Sequence, residues 1–169
     1  MTTPPLAQVP VRSAAELTRR WAALLDPPVF AARSLWLMWL TADGRSLPII
    51  VPIDELSAVP DLLTLSGLAD FHEAVTEGVD VAHLAMALCR PGPAGITDDD
   101  EEWAEALSDL LPDRIECTWS LHLAAAGRVV PVIEGLRAPA AVERDVLPAH
   151  RAHVIDSGEP TARRTGRSR

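Results

Sequence analysis

Four side chains in this sequence could form a reactive group if the fold brought them together. Arg90 ends an apolar run from Val79, and the punctuated stretch Pro91-Gly92-Pro93-Ala94-Gly95 follows it. Thr97-Asp98-Asp99-Asp100 comes next, and His122 sits in a later apolar run. A guanidinium, a hydroxyl, a carboxylate and an imidazole in one pocket could hold an anionic ligand or move a proton. Each residue also has a plainer use. Thr97 and Asp100 have the offset of a reciprocal helix cap, which contributes on the order of 1 kcal/mol. Arg90 has three readings: pairing with Asp100, binding an anion, or ending a strand in water. His122 is either a core or half-buried histidine, or part of a pocket with Arg90.

The other candidates are weaker. His83 has the opposite parity to Arg90 on the same run, so the two point to opposite sheet faces. Asp98, Asp99, Glu101, Glu102 and Glu105 read as a solvated helix start, with a cation or basic partner as the alternative. Cys89 and Cys117 read as small buried hydrophobes, because their spacing makes no zinc site and nothing argues for export. His150 and His153 fall near the C-terminus, away from the rest. The sequence contains no GxSxG, Walker loop, GxGxxG or His-Glu-x-x-His pattern. No cofactor is expected.

The elements that must position these residues follow from periodicity and punctuation. Ser13 caps a helix with Leu17, Trp21, Leu24 and Leu25 on one stripe, and Pro27 and Pro28 stop it near Asp26. Ser34 to Thr41 and Ser46 to Ile53 form a hairpin around Asp43-Gly44. Pro48 and Pro52 make the second strand an edge or a bulged one. Of Trp36 and Trp39, opposite in parity, one faces the core and the other is partly exposed. Asp54 to Leu65 reads as loop or a short turn of helix. Leu68, Phe71 and Val75 then line a helix that Gly78 closes. Val79 to Arg90 is a central buried strand. Thr97 opens a helix with the stripe Trp103, Leu107, Leu110 and Leu111, ended by Pro112 and Asp113. Arg114 to Ala125 and Arg128 to Ile133 are paired strands turned at Ala126-Gly127. A short helix over 135–147 is expected. The fold class is α/β in the α+β sense: a mixed sheet with flanking helices.

Composition bounds the rest. The chain has 169 residues, 48% of them hydrophobic, which is enough for one domain with a single core. The organisation expected is a flexible arm over 1–12, a domain over 13–147 and a disordered Arg-bearing tail over 148–169. No apolar run reaches the roughly 18 residues of a membrane span. The first ten residues lack the pattern of a leader, so a cytoplasmic location is expected. The net charge of -9 disfavours nucleic acid. All 15 basic residues are Arg, which fits a GC-rich, bacterial genome more than any chemistry.

The stretch from Leu84 to Val132 resembles the JAB/MPN metalloprotease-like fold, in particular its RadC branch. There a buried strand delivers a His-x-His-Pro turn. A Gly/Pro loop, a Ser-x-x-Asp helix start and a strand with a Leu-Asp-His element before a Gly hairpin follow. Here Ala85-Met86-Ala87-Leu88-Cys89-Arg90 leads to Pro91-Gly92, then to Thr97-Asp98-Asp99-Asp100, then to Ser120-Leu121-His122-Leu123 and Gly127. The resemblance extends over about residues 33–133 if the first hairpin is that fold's opening pair. It implies that the zinc-binding histidines are replaced by Leu88 and Arg90, and that only Asp100 of the three ligands persists. Leucine has no donor atom and arginine stays protonated, so zinc catalysis is not expected. Glu73 is out of register with the family's glutamate base.

The function expected is a non-catalytic protein-interaction or regulatory domain on a metal-free, JAB-like scaffold, a pseudoenzyme with a protein partner. One alternative is an enzyme or small-ligand binder using Arg90, Asp100 and His122. Another is a nucleic-acid accessory protein acting through the C-terminal arginines.

Overall fold

The computed structural model describes residues 9–136. The arm up to residue 8, most of the helix expected over 135–147 and the tail over 148–169 lie outside the described residues. Residues 135 and 136 are not helical. Residues 9–12, expected in the flexible arm, belong to the packed body. Val11 is buried and its N–H donates to the Gly44 carbonyl at 2.7 Å. That approach requires glycine: a Cβ on Gly44, at φ +81, would lie 2.3 Å from the Val11 oxygen.

The elements in chain order are α1 (Ala14–Leu24), β1 (Ser34–Leu40), β2 (Ser46–Ile53), α2 (Leu62–Thr76), β3 (His83–Cys89), α3 (Asp98–Arg114), β4 (Thr118–Ala125) and β5 (Arg128–Ile133). The strands form one sheet in the order β2-β1-β3-β4-β5. β3 and β4 are parallel, with α3 as the crossover, and the other pairs are antiparallel. The fold is α+β with a mixed sheet, as the element order predicts. Among the described residues no helix is long and apolar enough to cross a membrane.

Alternation along the central strands divides the core in two. Leu84, Met86 and Leu88 of β3 join Leu35, Leu37 and Trp39 of β1 under α2 and α3. Ala85, Ala87 and Cys89 join Met38 and Leu40 under α1, whose buried stripe is Leu17, Trp21 and Leu25. β3 is buried along its whole length, which explains its nearly unbroken apolar run.

Several boundaries differ from expectation. The run from Val79 becomes strand only at His83, after a turn at Gly78 with φ +74. β4 likewise starts at Thr118 rather than Arg114, because α3 continues through Pro112 to Arg114. A proline so near a helix end disturbs little of the hydrogen-bond ladder ahead of it. On α2 the buried face is Leu65, Leu68, Ala69 and His72, and Phe71 lies at its margin against Trp39. Trp39 is buried and Trp36 half-buried. β2 is an edge strand, and its register with β1 shifts between Met38 and Leu40. Pro52 lies opposite Trp36, and Pro48 falls inside the register shift between Ile50 and Ser46, so the strand is both an edge and irregular.

Candidate functional site

β3 ends beside the first turn of α3, and this junction places Arg90. Its side chain shares parity with Leu88, so it emerges on the α3 face. It is 3% exposed, and Asp100 is fully buried. The guanidinium Nε donates to Asp100 Oδ1 at 2.8 Å and Oδ2 at 3.0 Å, and Nη2 donates to Oδ2 at 2.5 Å. Nη1 donates to the carbonyls of Pro91 at 3.1 Å and Pro93 at 2.8 Å, and Nη2 also to Gly95 at 2.8 Å. A guanidinium has five N–H groups, so every one of them is engaged. The Pro/Gly loop is thus wrapped around Arg90, with three of its carbonyls turned inward. This is why the loop can be tight without regular hydrogen bonding of its own.

Asp100 is equally full. Besides Arg90 it accepts from Thr97 N–H at 2.9 Å and Thr97 Oγ1 at 3.0 Å. Arg33, just before β1, donates to Asp100 Oδ1 at 3.5 Å and to Asp99 Oδ2 at 3.3 Å. Burial alone would raise the Asp100 carboxyl. Hydrogen bonds from Arg90 and Thr97 outweigh it and hold the group below the usual carboxylate range. The bonds to Asp100 push Arg90 further up. At the mouth, Arg33, Arg90, Pro91, Pro93, Thr97, Asp98 and Asp99 line an open depression.

Arg90, Thr97 and Asp100 therefore come together, but His122 does not join them. It pairs with Ala87 across β3 and β4, and so lies on the α1 face. Its Nε2 is 3.0 Å from Thr18 Oγ1 on α1. The sequence could not place it because parity alone does not relate two strands; their register does. His83 is on that same α1 face. Its Nδ1 is 2.8 Å from Thr118 Oγ1 and its Nε2 is 2.8 Å from Ser120 Oγ. The last pair has the geometry of a nucleophile and base. Both residues are buried, however, and the imidazole is pushed down to about 4, so they make a closed core network rather than a reachable site.

An imidazole–thiol pair lies on the other face. His72 Nδ1 accepts from Trp39 Nε1–H at 3.1 Å, and its Nε2 is 3.9 Å from Cys117 Sγ. Both line a cleft with Glu73, Asp80 and Glu116. A general base needs its bare nitrogen toward the thiol. The indole donor fixes the opposite tautomer, with Nε2 carrying the proton. Burial also raises the Cys117 thiol, so no thiolate forms by this pairing. Both cysteines are free.

The residues do not fit the zinc centre that the JAB-like resemblance implies. Leu88 is packed in the core, and the Arg90 cation stands against the one carboxylate. Among the described residues no group of three or more His, Cys, Asp or Glu is placed to hold a metal ion. Searches against family models, curated proteins and solved structures find no match to this chain.

Proposed function

We propose that this chain is a non-catalytic protein-interaction or regulatory domain on a metal-free, JAB-like scaffold. The observation that carries the reading is the saturation of Arg90 and Asp100. Every polar hydrogen of the guanidinium is bound within the fold, so the strongest charge cluster in the domain is structural and has none left for a substrate. The polar-pocket reading needed Arg90 and His122 together, and the sheet stands between them. What the surface offers a partner is apolar. Leu62 and Leu63 at the start of α2 are 79% and 84% exposed, and Val59 just before them is 58% exposed. Consecutive exposed leucines are unusual on a free helix end and suit a protein contact.

The ancestry has a direct test. Leu88 and Arg90 share a sheet face with Asp100 beyond them, so Leu88→His with Arg90→His would supply two imidazoles and a carboxylate. Zinc should then raise the melting temperature of the double variant, or be required for its refolding, and should leave the natural chain unaffected. A double variant that ignores zinc would remove the JAB-like reading.

A further inference from the structure

The α1 face of the sheet is built differently from the α2–α3 face. Leu17, Trp21 and Leu25 pack there on Met38, Ala85, Ala87, Cys89 and Ala124. Two buried polar atoms at this seam, Trp21 Nε1 and His122 Nδ1, have no partner among the described residues. Each such atom is a desolvated polar group with no bond to offset its burial. The seam is therefore weakly docked for its apolar content.

The hydrogen-bond directions say what kind of atom His122 leaves bare. Thr18 Oγ1 has one proton and donates it to the Ala14 carbonyl at 3.1 Å. It must then accept from His122 Nε2–H, which leaves Nδ1 unprotonated with a lone pair that no donor meets among the described residues. A proton arriving there creates a buried cation with no acceptor. His83 is two positions along the same face from Ala85. Thr118 Oγ1 donates to the Ala82 carbonyl, so it accepts from His83 Nδ1–H, and His83 Nε2 accepts from Ser120. Protonation would reverse that last bond, with Nε2–H donating to Ser120 Oγ, and would place a cation in the same dry face.

No carboxylate nearby can compensate. On α1, Glu16 accepts from the Arg12 N–H, Arg20 donates to the Val9 carbonyl, and Arg19 is exposed. Asp43 in the β1–β2 turn is engaged by Thr41 and Arg45, and Arg128 of β5 is exposed. Among the described residues none of these groups pairs with either imidazole.

We propose that residues 9–25 form an acid-released cover, with α1 lifting from the sheet ahead of the rest of the fold and uncovering the Cys89 thiol beneath it. The α2–α3 face has one buried imidazole of its own, His72 on α2, also pushed down by burial, but α3 is stapled there by Arg90 and Asp100 and stays closed. Burial pushes both imidazoles down to about 4 from an ordinary 6.5. The closed state therefore excludes the proton that the open state accepts. Between about pH 7.5 and pH 5, His122 alone should raise the open population roughly thirtyfold.

The experiment uses the full chain carrying Cys117→Ser, so that Cys89 is the single thiol. Its modification by 4,4′-dithiodipyridine is measured at both pH values, relative to free cysteine. Amide exchange over α1 and α3 is followed alongside, corrected for intrinsic rates. The expected result is a roughly thirtyfold or greater rise in Cys89 accessibility at the lower pH, with exchange of α1 and continued protection of α3. His122→Met should remove the share of that rise that His122 supplies and leave the share of His83. A closed Cys89 at the lower pH would overturn the proposal, and so would α3 opening in step with Cys89. If His122→Met does not fold, the imidazole proton resonances of the Cys117→Ser chain decide. A His122 signal titrating near 6.5 in the closed protein overturns the cover, and one unchanged down to about pH 5 supports it.

Discussion

Replacing Arg90 with methionine should destabilise the domain by about 3–5 kcal/mol, the cost of leaving a buried charge without its partner. Asp100 is fully buried, and Arg33 at 3.5 Å is a poor substitute for a guanidinium bound at 2.5 to 3.0 Å. The carbonyls of Pro91, Pro93 and Gly95 lose their donors in the same step. Domains of this size are stable by only about 5–15 kcal/mol, so the variant should be close to unfolding at physiological temperature. Urea denaturation followed by circular dichroism measures the loss. A variant within about 1 kcal/mol of the natural chain would mean that the pair is solvated and contributes as little as a surface ion pair.

The second large effect is a loss of stability in mild acid. His83 and His122 are both pushed down to about 4 in the folded chain and return to an ordinary 6.5 when unfolded. A folded value that is depressed means the unfolded state binds protons first. Stability is therefore full above about pH 6.5 and falls as the pH drops toward 4. At about 1.4 kcal/mol per unit the upper bound is on the order of 3 kcal/mol for each imidazole. Asp100 does not add to this window. Its folded value lies below the carboxylate range, so its contribution is lost only at lower pH. Urea midpoints measured from neutral pH downward should fall steadily, and His122→Met should flatten part of the slope. A flat midpoint across that range would show that the imidazoles are hydrated.

The legible parts of the site were local, and the illegible parts were tertiary. Thr97 and Asp100 are three residues apart on one helix turn, so their contact follows from the turn itself. Arg90 could be paired with Asp100 because the Pro/Gly loop is too short to carry strand end and helix start far apart. Arg33 carries no such signal. It reaches Asp99 and Asp100 only because β1 lies next to β3 and antiparallel to it, which no local pattern announces. The same holds for Thr18 on His122 and for Trp39 on His72, whose partners are 104 and 33 residues apart in sequence. The fold class was readable because β3 is bounded by Gly78 and Pro91 and is apolar on both faces. Its true start at His83 was not, since the apolar letters of Val79, Val81 and Ala82 continue outside the ladder.

A double-substitution cycle on Arg90→Met and Asp100→Leu tests the central claim most directly. If the two groups form one saturated structural pair, each single change costs several kcal/mol, while the double variant recovers much of that loss because no unpaired charge remains. What stays lost is the Thr97 cap, about 1 kcal/mol, and the donors to the Pro91, Pro93 and Gly95 carbonyls. Two small, additive losses would contradict the claim and return Arg90 to the role of a solvent-facing cation free to bind a ligand.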